Sequence, residues 1–122
     1  MNIPERATKE QTDAITQTEG NIRVASVPGS GKTFVLTYRI AYLITELFVE
    51  PSSIVALTFT NKAASQMKHR LRNIVGDNAN CFTGTFHGYC NMFLKEEIHR
   101  LTFPKTFMIL DKKAELEMIK DV

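Results

Sequence analysis

Apolar positions change period several times along the chain, and each change marks an element. Asn21-Ile22-Arg23-Val24-Ala25 alternates apolar and polar residues, the two-residue period of a strand. From Lys32 to about Leu47 the period lengthens: Leu36, Ile40, Leu43, Ile44 and Leu47 recur at helical spacing, with Val35 and Ala41 widening the stripe. A helix this apolar is expected to lie against a sheet. Glu50-Pro51-Ser52-Ser53 breaks it, and Ile54-Val55-Ala56-Leu57 is a near-continuous apolar run, expected as a parallel strand covered on both faces. A second amphipathic helix places Ala64, Met67, Leu71 and Ile74 or Val75 on one face, and Lys62, Lys68, His69, Arg70 and Arg72 on the other. Gly76 to Asn80 reads as a turn and Cys81-Phe82-Thr83 as a third short strand. The helix after it should bury Phe86, Cys90, Phe93 or Leu94, and Ile98. Ahead of all this, Thr8-Lys9-Glu10-Gln11 fits a capping box that opens a short helix to about Thr18, with Gly20 ending it. Strands alternating with helices define an α/β fold: a parallel sheet of at least three strands flanked by helices.

Composition narrows the class without naming a function. With 122 residues, 43% hydrophobic and 23% charged, the chain can bury a core and has the balance of a soluble globular domain. No run approaches the ~20 apolar residues of a membrane span, and the polar first twenty residues carry no secretory pattern. Cys81 and Cys90 fit no zinc spacing and are expected as reduced thiols in a cytoplasmic protein. A net charge of +2 says little, but its distribution says more. Acid-free stretches containing Arg23, Lys32 and Arg39, and then Lys62, Lys68, Arg70 and Arg72, concentrate positive charge in mid-chain, where a polyanion could be met.

The chemistry centres on Ser26-Val27-Pro28-Gly29-Ser30-Gly31-Lys32-Thr33, which lies between the first expected strand and the long apolar helix. Gly29 and Gly31 allow a tight curl whose N–H groups form an anion nest, and the positive end of the helix points at the same spot. Lys32 can reach the β- and γ-phosphates, and the Thr33 hydroxyl can ligate Mg²⁺. Ser26 stands where the usual phosphate-loop pattern has Gly, and Pro28 has no N–H, so the cradle falls mainly to Gly29 through Thr33. Taken by itself, Gln11 is a capping residue and His87 a structural one at a strand-to-helix junction. Phe107 to Asp111 has the shape of a magnesium-holding strand end, but Lys112 and Lys113 follow where a hydrolytic acid would be wanted. Asp111 therefore reads as the N-cap of a charged helix over Lys112 to Asp121.

The order of these pieces resembles the UvrD/Rep/PcrA-type superfamily 1 helicases. Ala7-Thr8-Lys9-Glu10-Gln11 is similar to their Q motif, and Ser26 to Thr33 to motif I. Leu57-Thr58-Phe59-Thr60-Asn61-Lys62-Ala63-Ala64 is close to motif Ia, and Thr85-Phe86-His87 matches motif Ib. The resemblance implies a RecA-like P-loop NTPase fold with ATP and Mg²⁺ as cofactors. Gln11 would read the adenine edge, while Phe59, Asn61, Thr85 and His87 would touch single-stranded DNA. It also implies a boundary, with residues 1–106 in the first RecA-like core domain and 107–122 opening an inserted helical subdomain.

Phe34 departs from the resemblance, standing where the family commonly has Arg. The family's acidic motif II, arginine fingers and second motor domain are not found before Val122. The chain is thus expected to be the N-terminal, ATP-binding piece of a helicase, with the remainder of the helicase chain as its partner and no hydrolysis of its own. A catalytically silent ATP- or DNA-binding module is the alternative; an unrelated P-loop kinase has no role for the Thr58–Ala64 run.

Overall fold

The structure, a computed structural model, describes residues 1–77 and 79–121. The turn expected over Gly76 to Asn80 includes Asn78, which lies outside the described residues. Residues Met1–Phe86 form one compact unit, and the chain from His87 onward forms another.

In the first unit, α1 (Lys9–Thr16) and α2 (Lys32–Thr45) precede β1 (Val55–Thr58), α3 (Asn61–Val75) and β2 (Phe82–Thr85). Thr8 caps α1 as expected: its hydroxyl accepts from Gln11 N–H, and the Gln11 carboxamide accepts from Thr8 N–H at 3.0 Å. The two strands pair in parallel with Val55 opposite Phe82 and Thr58 opposite Thr85, and α3 supplies the crossover that parallel pairing requires. The face of α3 set by Ala64, Met67 and Leu71 is buried. Met67 and Leu71 join Ile40 and Ala41 of α2 and Ala56 of β1 in a single core. The cationic residues Lys62, Lys68, His69, Arg70 and Arg72 of α3 are all exposed.

Two strand expectations need correcting. Asn21–Ala25 has strand periodicity but forms no strand, and Ile22 and Val24 are 40% and 58% exposed. A strand is completed by ladder hydrogen bonds to a neighbour, and the two strands of the sheet pair with each other. The described sheet therefore has two strands rather than three or more. The run Ile54–Leu57 is also not covered on both faces: Ala56 is buried while Val55 faces solvent.

The second unit contains most of α4 (Phe86–Glu97), a 3₁₀ turn at Ile98–Leu101, and α5 (Lys112–Lys120). Asp111 caps α5, its carboxylate accepting from Ala114 N–H at 2.8 Å, as read from the sequence. Within α4 the rings of Tyr89 and Phe93 stack at 6.5 Å. The burial expected for α4 is not found, since neither helix has a buried residue. Helical periodicity identifies which face would bury; burial itself takes an opposing element. Two helices joined by an irregular stretch enclose no core here.

Candidate functional site

The loop between Ala25 and α2 begins with a turn over Val27 to Ser30, closed by Ser30 N–H donating to Val27 O at 3.3 Å. Gly29 and Gly31 both take positive φ, +80° and +86°, which a side chain would strain. Gly31 is the N-cap residue of α2, and no side chain caps that helix. The first turn of α2 thus keeps its N–H groups available toward the loop. Lys32 is exposed at the first helical position, and Thr33 follows it, half-buried. Ser26, Val27, Pro28 and Gly29 are exposed.

Ser30 is the loop residue whose environment is least self-sufficient. Its hydroxyl oxygen is buried and has no hydrogen-bond partner among the described residues. Leaving such a group unsatisfied costs about 1–3 kcal/mol, so it marks a place where a polar ligand would be favoured. Its backbone carbonyl, by contrast, accepts from Gln11 Nε2 at 2.9 Å. Gln11 therefore does two jobs, capping α1 with its oxygen and tying α1 to the loop with its nitrogen. A carboxamide has two N–H donors and two acceptor lone pairs, so one of each remains for a ligand. A Cβ placed on Gly31 would sit 3.0 Å from Gln11 Nε2, which leaves glycine as the residue that fits this approach.

Arg39 plays a part the charge pattern did not foretell. It was expected among the cations of an acid-free stretch; instead its Nη1 donates to Ala14 O at 2.7 Å and to Gln17 O. The guanidinium thus satisfies carbonyls at the end of α1, where a cation is also favoured by the helix dipole. α1 is pinned to α2 by Arg39 at its C-terminal end and to the loop by Gln11 near its start. A cavity of about 700 Å³ opens between them, with Gln11, Ile22, Val24, Ser30, Lys32 and Leu36 among its lining.

The second group of expected site residues lies at the carboxyl ends of the strands. Phe59 follows β1 and is 90% exposed, a large ring left in solvent. The hydroxyl of Thr58 donates to Thr60 O at 2.9 Å, and Thr60 caps α3 by accepting from Ala63 N–H. These bonds fix the bend that presents Phe59 and the exposed Asn61. The register puts Thr85 opposite Thr58, so Phe59, Asn61 and Thr85 gather at one end of the sheet. His87 is exposed in the first turn of α4, in the second unit.

The first unit is a mixed α/β structure in which a glycine loop opens a helix and polar groups collect at the carboxyl ends of parallel strands. Residues 7–122 match the family described as UvrD/REP helicase N-terminal domain, and the chain belongs to that family. Among curated proteins it is similar to the ATP-dependent DNA helicase PcrA of Staphylococcus aureus. The two are 44% identical over 114 residues, covering 93% of this chain and 16% of the relative. PcrA of Staphylococcus epidermidis shows the same identity over the same span. The chain therefore spans about one sixth of the length of these relatives.

Proposed function

We propose that this chain is the nucleotide-binding N-terminal part of an ATP-dependent DNA helicase, one that translocates on single-stranded DNA and unwinds duplex. In this reading the first unit belongs to a RecA-like P-loop domain, and the segment from 107 onward opens an inserted helical subdomain. The observation that carries it is the loop itself. Two glycines of positive φ, an α2 N-terminus free of any side-chain cap, a buried unpartnered Ser30 hydroxyl and an exposed Lys32 converge on one spot. The matched family and the PcrA relatives supply the helicase context.

The residues present fit ATP and Mg²⁺. N–H groups from Gly29 to Thr33 would cradle the phosphates, with Ser26 and Val27 leading into the cradle and Pro28 shaping its turn. Lys32 would neutralise the β- and γ-oxygens, and the Thr33 hydroxyl would hold the magnesium ion, which supplies charge neutralisation when bound. Gln11 would read adenine with its remaining donor and acceptor. Phe59 would stack on a base of single-stranded DNA, while Asn61, Thr85 and His87 would hold sugar or phosphate. Hydrolysis also requires acidic and cationic groups that meet the charge developing on the γ-phosphate, an arginine finger alone contributing ~10³–10⁵ in rate. In this reading the remainder of the helicase chain brings them, and the 122-residue chain alone turns over no ATP above background.

The test is calorimetric titration of ATP and ADP into the chain and into Lys32→Ala, with thermal melting of both. Loss of nucleotide binding with an unchanged melt is expected, because Lys32 is exposed and buries nothing. Equal affinity in the two proteins would refute the phosphate-loop assignment.

A further inference from the structure

We infer that Phe34, paired with Arg6, is the platform on which the nucleotide's purine ring stacks; this rests on the phosphate-loop reading above. Arg6 lies in a tight turn closed by Ala7 N–H donating to Pro4 O at 2.9 Å, just before the capping residue of α1. That turn carries its guanidinium over the ring of Phe34, with Cζ 5.3 Å from the ring centroid. Phe34 is the third residue of α2 and is braced one turn on by Tyr38, the two ring centroids lying 4.7 Å apart. Arg6, Phe34 and Gln11 together line a cavity of about 210 Å³.

The walls of that cavity select a ligand. An aromatic face, a guanidinium plane and a carboxamide, with no carboxylate among them, suit a flat heterocycle with hydrogen-bonding edges. A phosphate would engage the guanidinium and leave the ring unused. The cavity also lies beside the loop, since a Cβ on Gly31 would stand 3.0 Å from Gln11 Nε2 and 3.8 Å from Phe34 Cβ. A ligand whose phosphates rest on Gly29 to Thr33 therefore carries its base toward Phe34. The spacing shows how the base enters. Stacked planes stand about 3.4 Å apart, so a base between guanidinium and ring needs about 7 Å, against 5.3 Å now. Arg6 is exposed and can swing outward by the difference, closing over the base from the other side. Arg6 then acts as a clip and Phe34 as the fixed surface.

The test uses the 122-residue chain and two ligands, ATP and inorganic tripolyphosphate, the second having phosphates but no base. Calorimetry is run on the wild type, Phe34→Leu, Phe34→Tyr, Arg6→Ala and Lys32→Ala, each with a thermal melt. Phe34→Leu keeps apolar bulk against Tyr38 while removing the ring, and is expected to weaken ATP by ~5–150-fold, the range of one base–aromatic stack. Its tripolyphosphate affinity should stay unchanged, Phe34→Tyr should restore ATP binding, and Arg6→Ala should weaken ATP in the same direction by less. Lys32→Ala should weaken both ligands. If Phe34→Leu binds ATP as the wild type does while Lys32→Ala does not, the stacking assignment is overturned and the phosphate loop stands. Equal losses for ATP and tripolyphosphate in Phe34→Leu would also overturn it, showing a role in holding the loop. If the wild type binds neither ligand, the phosphate-loop reading fails and this inference falls with it.

Discussion

Gln11 is the residue at which fold and site can be separated most cleanly. Replacing it with Ala removes the acceptor for Thr8 N–H at 3.0 Å and the donor to Ser30 O at 2.9 Å. The first bond is exposed and belongs to the cap; the second is part-buried and joins segments 19 residues apart. Taking ~0.5–1.5 kcal/mol for each intramolecular hydrogen bond, Gln11→Ala should cost roughly 1–3 kcal/mol of unfolding free energy. Gln11→Glu apportions the loss. It keeps an oxygen for Thr8 but turns an acceptor toward the Ser30 carbonyl, so the cap survives while the tie to the loop is broken. If the tie matters, Gln11→Glu loses at least half of what Gln11→Ala loses; if the cap alone matters, it melts like the wild type. Urea unfolding followed by circular dichroism gives the midpoint and slope for each variant. Amide hydrogen exchange at Gly29 to Lys32 should accelerate in both variants, because the loop loses its anchor to α1. A Gln11→Ala midpoint equal to wild type, with unchanged exchange in the loop, would refute the claim that this side chain holds the two together.

Two further outcomes follow from other contacts. Arg39→Leu keeps the apolar stem against the cavity but frees the carbonyls of Ala14 and Gln17, and should cost about 2–4 kcal/mol by urea unfolding, from two charge-assisted bonds; a midpoint at the wild-type value would show that the guanidinium is dispensable. Phe59→Ala, made in the full-length helicase, should weaken single-strand binding by ~1–3 kcal/mol with little change in salt slope, because a stack and no phosphate contact is lost; a reduced slope with unchanged low-salt affinity would assign Phe59 another role.

How far the sequence could be read follows from where each element finds its hydrogen bonds. A helix satisfies its own backbone, so periodicity and caps located α1, α2, α3 and α5 to within a residue or two, with Thr8 and Asp111 in their capping places. A strand depends on another segment. Asn21–Ala25 has the right alternation, yet no described residue pairs with it; Ile54–Leu57 has the right apolarity, yet one face stays open at Val55. Local pattern reports what a segment could pair with or bury against, and the partner is a separate fact.

The same distinction runs through the candidate site. Gly29, Gly31, Lys32 and Thr33 were legible because the phosphate loop is a local structure whose backbone demands fall on adjacent residues. The pairs Gln11–Ser30, Arg39–Ala14 and Arg6–Phe34 join residues 19 to 28 positions apart, and no spacing rule connects them. One signal for the last pair was nevertheless present. Phe34 stands where the resemblance expects a cation, and an aromatic there neither pairs with a carboxylate nor reaches a phosphate. An aromatic is stabilised by a cation over its face, and the structure supplies one from Arg6, on the far side of the capping box. A cation missing from one wall of a small polar cavity thus has its counterpart on the opposite wall. Substituting position 34 back to Arg would therefore set two guanidinium groups against each other, unless position 6 changes with it.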